Sequence, residues 1–571
     1  MSHLRKSKIE NRGSKIAFFP LAILSVLCGF GFFFPLAGIP FYTEGEARKA
    51  LAVLDVVAGG DWLFSSAIAD GSSSRLFYWV AWLASLAFGQ VNEPAVRFPS
   101  ALFASLGVLA LYLSGRKLYD SHVAFLGSVI LATSLGYPSL AITANVHMTA
   151  CFLMIACLTV FYLLYLDCLK GFWWYAFYLF FGATILAGGL STFIVSGTII
   201  GAFLIFAKRR DFLGRLCFQR GVILTIGIVG FHYAAAFVTG GEDFIRGGPS
   251  AQLFDQLHPR ILYYYFPKYL LLVGFPWSLF WPGVIIACMR HPFSRDDHCL
   301  FFMVWALVTL VFFSFSPVKQ LASLLALTPP LALLTARWSQ EGAMGSAAAQ
   351  RLSAGFFALF SAAFATLFMS VFGGSDPAWV FSTVFSIVKP EHHGIVLLLK
   401  NSIREARWLF LIFSGLSVII GVFLGRDLFR GRLGRVPLML ALFFLTGWSF
   451  AQSTIVPVVA HERSYGSFVK EVKKLLTEGS ELYLWDGRVD NSQLFFYYGG
   501  RIQVLNEVQV LVTKLRSPDA YVIMREDDWR AIHAGDKRLP APVLQSGGGG
   551  VGFEKRRVLI RGQPDTDREG W

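Results

Sequence analysis

Apolar stretches separated by short polar turns fill the first 456 residues of this chain. A helix needs about 20 mainly apolar residues to cross the hydrocarbon core of a bilayer, and about 13 segments approach or exceed that length. They lie near residues 16–39, 97–115, 122–141, 148–166, 172–188, 191–207, 220–239, 262–288, 299–315, 320–336, 352–373, 407–425 and 436–456. The pattern predicts an α-helical polytopic membrane protein with about 13 transmembrane helices.

The first apolar stretch follows a basic segment and is too long for the apolar region of a signal peptide, so it is predicted to be an uncleaved first span. Basic residues then recur in alternate turns, which places the N-terminus and these turns in the cytoplasm. The basic residues of these turns are Arg116, Lys117, Lys170, Lys208, Arg209, Arg210, Arg215, Arg290, Arg295, Arg337, Arg351, Arg426, Arg430, Arg432 and Arg435. An odd number of spans places loops 40–96, 240–261 and 374–406, and residues 457–571, on the outer side.

The composition agrees with a membrane protein. Hydrophobic residues make up 55% of the 571 positions and charged residues only 15%, whereas soluble proteins are about 25% charged. The formal net charge of +14 reflects the cytoplasmic turns, so we do not expect a nucleic-acid partner. The seven cysteines show no CxxC pair or disulfide framework, which argues against redox or zinc-thiolate chemistry.

Two regions outside the spans carry their own structure. The first outer loop contains apolar, helix-length segments at 47–57 and 76–88, which are predicted to be amphipathic helices at the membrane surface. Residues 457–571 are predicted to form a small α/β domain with a helix near 464–476. Its predicted strands are 481–486, 494–500, 501–505, 520–525 and 556–561. We therefore divide the chain into a membrane domain, 1–456, and an outer domain, 457–571.

The most polar part of the first loop comes directly after the first span. Residues 41–50 read FYTEGEARKA and place Glu44, Glu46, Arg48 and Lys49 at the start of a predicted helix. A carboxylate here can act as a general base, and cations can stabilise a departing phosphate. The simpler interpretation is that acids occupy a helix N-terminus because its dipole favours them. A transporter is disfavoured because the spans hold almost no charge at their centres.

The order of motifs resembles that of a known family. After the acids come GDW at 60–62, RLFYWVAWL at 75–83, NEPAVRFPSAL at 92–102 and GRKLY at 115–119. Later blocks are HPRILYYYFPKYLLLVGFPWSLFWP at 258–282, FFSFSPVKQLASLLALTPPLALL at 312–334, HERSYGSFVKEV at 461–472, LFFYYGGR at 494–501 and MREDDW at 524–529. Together they resemble the aminoarabinose transferases and protein O-mannosyltransferases, which are membrane glycosyltransferases of the GT-C fold.

The resemblance implies transfer of a sugar, with inversion, from a polyprenyl (undecaprenyl) phosphate donor to an acceptor on the periplasmic side of a bacterial inner membrane. The acceptor class it implies is lipid A, another glycan or a protein. Glu46 matches the acid of the family's loop motif, Glu44 is a second candidate, and Arg48 matches the motif's arginine, which orients the acid or holds phosphate.

Several positions depart from the family pattern. Ser72-Ser73-Ser74-Arg75 stands where the family has a lysine before two prolines, so Arg75 would replace a phosphate-binding lysine. His147 stands where the family commonly has an acid. Residues 186–190 read LAGGL where the family has LxKGP, so a second lysine is absent.

Three further cations, Lys319, His258 and Arg260, are candidates for the donor phosphate. The sequence identifies no definite cofactor, and Asp255 and His258 supply two ligands toward an alternative with a divalent metal, which would need further ligands. The departures leave two hypotheses open: a rebuilt, active site, or a catalytically inactive protein that binds lipid-linked glycans.

Overall fold

The computed structural model describes residues 18–59, 74–209, 212–216, 219–246, 265–290, 297–315, 321–340, 355, 407–430, 435–477, 479–485, 490–500, 502–535, 539–546 and 556–563. Two compact units make up the chain. The first is the helical membrane unit. The second contains Gly38–Leu51, Thr366–Phe413 and Phe450–Trp571. The predicted boundary at residue 457 remains a prediction.

Helices account for almost all of the described residues up to Phe450. From the N-terminus they are α1 (Phe18–Cys28), α2 (Glu44–Val57), α3 (Arg75–Ala87), α4 (Glu93–Leu118), α5 (Ser121–Ala132), α6 (Gly136–Ala141), α7 (Val146–Tyr165), α8 (Trp173–Phe206), α9 (Phe212–Leu216), α10 (Gln219–Arg246), α11 (Tyr265–Gly274), α12 (Trp281–Arg290), α13 (Asp297–Ser314), α14 (Thr328–Gln340), α15 (Arg407–Phe429) and α16 (Val436–Phe450). A π turn (Gly29–Phe33) and a 3-10 turn (Phe34–Leu36) extend α1. Helices α2 and α3 confirm the two helices predicted in the first outer loop.

Within the described ranges, 6 helical segments are long and apolar enough to cross a membrane. They are Phe18–Leu36, Glu93–Leu118, Val146–Tyr165, Trp173–Phe206, Asp297–Ser314 and Val436–Arg463. The shorter helices Ser121–Ala132 and Trp277–Met289 are also apolar. The predicted span 352–373 falls outside the described residues apart from position 355, so the total of about 13 spans remains a prediction.

The two spans predicted at 172–188 and 191–207 are the two arms of α8. Gly188 (φ −138°, ψ 16°) and Gly189 (φ 64°, ψ −160°) interrupt the helix between them. The dihedrals of Gly189 are accessible essentially to glycine alone. A Cβ on Gly188 would lie 2.0 Å from Thr192 Oγ1, so the kink is also tightly packed.

Two large buried polar side chains of the membrane unit have hydrogen-bond partners inside it. The Trp277 indole is 1% exposed, and its Nε1 donates to Thr133 Oγ1 at 3.0 Å. Tyr137 is equally buried, and its hydroxyl donates to the Ala104 carbonyl at 2.8 Å. Such internal pairing is required where no water is present to replace it.

The second unit includes the first turns of α2 and an α/β domain. Its elements after α16 are a π turn (Ala451–Ile455), α17 (Val456–Arg463), α18 (Gly466–Leu475), β1 (Glu481–Trp485), α19 (Ser492–Tyr498), β2 (Gln503–Leu505), α20 (Val508–Lys514), β3 (Ala520–Arg525), α21 (Glu526–Gly535), β4 (Pro542–Gln545) and β5 (Arg557–Arg561). The strand order is β2-β1-β3-β5-β4. Strands β2, β1 and β3 are parallel, whereas β5 is antiparallel to both β3 and β4.

Both faces of this sheet are covered. Leu482 and Leu484 pack on one face with Val469 of α18, and Tyr483 packs on the other face with Leu511 of α20. Consecutive strand residues point to opposite faces, so a strand buried on both sides reads as a continuous apolar run. That is the pattern of residues 482–485 and 520–524.

The strand predicted at 494–500 is wrong, because this segment lies in α19 and the turn that follows it. Phe495, Tyr497 and Tyr498 have side chains typical of strands, but that preference reflects packing on a half-buried surface. Here the helix ends at Gly499, which adopts a left-handed conformation (φ 68°). Its backbone amide donates a hydrogen bond to the Phe495 carbonyl and closes the last turn. The pattern also missed α20, α21 and β4.

Candidate active site

The acids of the first loop lie at the start of α2, and we call residues 44–48 the acid motif. Thr43 caps the helix, since its hydroxyl accepts from the Glu46 amide at 3.3 Å. Glu44 and Glu46 therefore occupy the first turn, where the helix dipole favours negative charge. Glu46 is only 3% exposed. A carboxylate this strongly buried is uncommon outside paired or functional positions.

The two charged neighbours of Glu46 contact the α/β domain within the second unit. Arg48 Nη2 donates a short hydrogen bond to Asp490 Oδ2. Glu44 Oε2 accepts from the backbone amide of Gln493 at 2.8 Å. Two of the predicted site residues are thus tied to the α/β domain.

Lys49 adds a cation beside the acid motif. Its Nζ donates to the Gly45 carbonyl at 3.0 Å. Burial lowers the pKa of Lys49, while the nearby Glu46 carboxylate acts in the opposite direction and Arg48 lowers it further. The opposing effect of Glu46 indicates that the charges of these two residues interact.

Arg75 begins α3 in the membrane unit. Its side chain is buried, and Nη1 donates to the backbone carbonyl of His232 in α10 at 2.9 Å. His232 is 6% exposed, and within the described ranges its Nδ1 has no hydrogen-bond partner. The buried Ser74 hydroxyl is in the same situation. We call Ser74, Arg75 and His232 the arginine–histidine cluster.

Sequence reasoning did not single out His232 or Arg97. His232 is a histidine within an apolar helix, and ionisable residues in such segments commonly mark function. Arg97 belongs to α4 and is 1% exposed. A charge in the middle of the NEPAVRFPSAL block was the available signal for Arg97.

His147 lies in the first turn of α7 and is half-buried. Asn145 caps this helix, because its side-chain oxygen accepts from the His147 amide at 2.9 Å. The backbone amide of Asn145 in turn donates to Ser100 Oγ of α4 at 2.8 Å. The helix start that carries His147 is therefore fixed against α4.

The remaining candidates, Lys319, His258 and Arg260, lie outside the described residues, as does Asp255. Their roles toward the donor phosphate, and the metal hypothesis, remain predictions. Gly188, which stands where the resemblance places a lysine, forms the kink of α8 together with Gly189.

Comparison with known proteins adds to this geometry. A family model described as dolichyl-phosphate-mannose-protein mannosyltransferase matches residues 73–232. The match runs from the residue before Ser74 to His232, so it includes the whole arginine–histidine cluster. It also includes His147 and the kink of α8.

Curated relatives and a solved structure extend the match. An undecaprenyl phosphate-alpha-4-amino-4-deoxy-L-arabinose arabinosyl transferase of Proteus mirabilis is 24% identical over 457 residues, which is 74% of this chain and 79% of the relative. A Pseudomonas fluorescens transferase of the same description is 26% identical, with 58% of this chain and 61% of the relative covered. The crystal structure of ArnT from Cupriavidus metallidurans bound to undecaprenyl phosphate superposes with a TM-score of 0.74 at 16% identity, covering 95% of this chain and 98% of ArnT.

The chain is thus similar to the aminoarabinose transferases and shares the fold of ArnT. The predicted fold class, an α-helical GT-C membrane protein with a small C-terminal α/β domain, is confirmed. The apolar helices agree with a multi-pass membrane protein. The apo form of the same Cupriavidus transferase gives a TM-score of 0.70 at 16% identity.

Proposed function

We propose that the protein is a glycosyltransferase that transfers a sugar from a polyprenyl-phosphate donor to an acceptor at the outer face of a bacterial inner membrane. The names of the Proteus and Pseudomonas relatives and the undecaprenyl phosphate bound in the related crystal structure support this function. The basic cytoplasmic turns support an N-terminus in the cytoplasm and an α/β domain in the periplasm. The acceptor class is lipid A, another glycan or a protein.

The observation that carries the proposal is the buried carboxylate of Glu46 at the start of α2. In the proposed reaction an acceptor hydroxyl attacks the anomeric carbon of the donor sugar. The carboxylate removes the hydroxyl proton, the bond between the anomeric carbon and the phosphate oxygen breaks, and polyprenyl phosphate departs. A single displacement of this kind inverts the anomeric configuration.

The departing phosphate requires positive charge. Arg75 is the described residue that we assign to it, because its guanidinium is buried and has donors beyond the one used by the His232 carbonyl. Lys319, His258 and Arg260 are proposed to assist. His147 is proposed to replace an acid that the family commonly uses. These assignments rest on motif position and on the burial of Arg75.

The test is turnover by the purified protein with radiolabelled undecaprenyl-phosphate aminoarabinose and lipid A-containing membranes. We expect Glu46→Gln to lower kcat by about 100- to 10,000-fold, which is the usual contribution of a general base. Glutamine supports the same capping arrangement with Thr43 as glutamate does, so the loss reports on the charge of the side chain. Asp55→Asn, which alters an exposed acid on the same helix, is the control and should leave kcat within twofold.

The alternatives give distinct results in the same assay. Donor binding without turnover in both wild type and Glu46→Gln would identify an inactive protein that binds lipid-linked glycans. Movement of solute across proteoliposomes without sugar transfer would identify a transporter.

A further inference from the structure

The start of α2 is attached to the α/β domain by both charged residues that flank Glu46. The Asp490 carboxylate accepts a hydrogen bond from the guanidinium of Arg48, and the backbone amide of Gln493 donates one to the Glu44 carboxylate. Glu44 and Arg48 are four positions apart, so they lie on the same face of the helix. Glu46 is two positions from each and therefore projects from the opposite face. The α/β domain thus holds one side of the helix and leaves the other side to Glu46.

The Asp490 side of this attachment is itself fixed. Asp490 Oδ1 accepts from Ser492 Oγ at 2.5 Å and from the Ser492 amide at 3.2 Å. Partial burial raises the pKa of Asp490, but the hydrogen bonds from Ser492 and Arg48 outweigh it and leave the pKa below its usual value. Asp490 therefore remains charged at neutral pH. Its Oδ1 is bound by Ser492 at the start of α19, and its Oδ2 is bound by Arg48.

An apolar contact reinforces the charged ones just before the helix. Phe41 is fully buried, and its ring packs edge-on against Phe496 of α19 with centroids 5.0 Å apart. The Phe41 amide donates to the Tyr497 hydroxyl at 2.7 Å. Three polar contacts and an aromatic pair therefore fix the orientation of residues 41–48 on the domain.

We infer that Asp490 and the Gln493 amide are positioning groups for the reaction, which hold the acid motif so that Glu46 faces the acceptor. This inference rests on the proposed function. It reassigns Arg48 from the donor phosphate to the attachment of α2, and it gives Glu44 the role of an anchor. The α/β domain is then part of the catalytic apparatus without touching the substrate.

The discriminating experiment is an exchange of charges. We expect Asp490→Asn and Arg48→Gln each to lower kcat about three- to tenfold while the KM for the undecaprenyl-phosphate sugar stays within twofold. The double variant Arg48→Asp/Asp490→Arg restores the ion pair in reverse and should recover at least half of the wild-type kcat. Glu481→Gln removes an exposed partner of Lys514 in the same domain and should change neither constant.

If Arg48 instead holds the donor phosphate, Arg48→Gln raises KM, and the exchanged pair is worse still because an aspartate faces the phosphate. Either result overturns the inference, as does a wild-type kcat in Asp490→Asn.

A second measurement does not depend on turnover. We expect amide hydrogen exchange over residues 44–51 to accelerate at least threefold in Asp490→Asn and Arg48→Gln, and to return toward wild type in the exchanged pair. If the protein transfers no sugar, the proposed function fails while this measurement still tests the attachment. Unchanged exchange in both single variants would refute the attachment.

Discussion

The acid motif and the arginine–histidine cluster both contain buried ionisable side chains, but their hydrogen bonding differs. In the acid motif, Glu44 and Arg48 are paired with groups of the α/β domain. In the cluster, His232 Nδ1 and Ser74 Oγ are buried without a hydrogen-bond partner in the ranges that the structure describes. A buried unsatisfied group costs about 1–3 kcal/mol, and native proteins retain few of them. The hydrogen bonds of the first region fix its conformation. The second region retains buried donors and acceptors that could bind a ligand, and this lowers the stability of the fold.

Among the tests of this difference between the two regions, we expect the largest effect from replacing Arg75. Arg75→Ala should lower kcat/KM for the undecaprenyl-phosphate sugar by about 100-fold, because a buried cation facing a phosphate contributes roughly 3 kcal/mol or more. Arg75→Lys should recover part of the loss, since lysine keeps the charge but not the planar set of donors. Steady-state kinetics measures both.

The control for Arg75 is Arg215→Ala, which removes an exposed arginine paired with Asp167 in the same unit. It should alter kcat/KM less than twofold. Equal losses in the Arg75 and Arg215 variants would mean that Arg75 has no particular role.

His232→Leu separates stability from activity. The backbone carbonyl that accepts from Arg75 remains, while the unsatisfied ring nitrogen is removed. We expect thermal unfolding in detergent to shift to higher temperature, corresponding to about 1 kcal/mol, and turnover to fall about tenfold.

Thr225→Val is the matched variant on the same helix, because the Thr225 hydroxyl is buried and already donates to the Tyr178 carbonyl at 3.2 Å. It should lower the unfolding temperature. A lower unfolding temperature for His232→Leu, with unchanged turnover, would identify His232 as a structural residue.

The smallest effect is expected at the cap of α2. Thr43→Ala removes the hydroxyl that accepts from the Glu46 amide and should weaken the helix start by about 1 kcal/mol. Because the α/β domain still holds Glu44 and Arg48, kcat should fall only about twofold. Hydrogen exchange over residues 44–47 should rise, whereas Thr513→Ala in α20 should leave it unchanged. A loss of kcat above tenfold would show that the cap, and not the domain, positions the acid.

Local patterns in the sequence predicted much of this molecule. Apolar length located the membrane helices, and the FYTEGEARKA block located the start of α2 and its buried acid. The sequence could not reveal the partner of Arg48, because that contact joins positions 442 residues apart. The same limitation explains the error at 494–500, where Phe496 and Tyr497 serve a contact with Phe41 that no local pattern encodes.

His232 illustrates a different limit. The sequence shows a histidine in an apolar helix, but whether it is paired depends on the neighbours that packing brings to it. Only the fold places its carbonyl against Arg75, 157 residues earlier in the chain.

The long separation between α2 and its anchors also has a consequence for biosynthesis. Ribosomes add about 5–20 residues per second, so residue 44 leaves the ribosome roughly 20–90 s before residue 493 exists. Throughout that interval Glu46 lies on a helix whose contacts with Asp490 and Gln493 cannot yet form. The α/β domain must be synthesised and folded before it can anchor the acid motif, so the order of synthesis itself delays the positioning of Glu46.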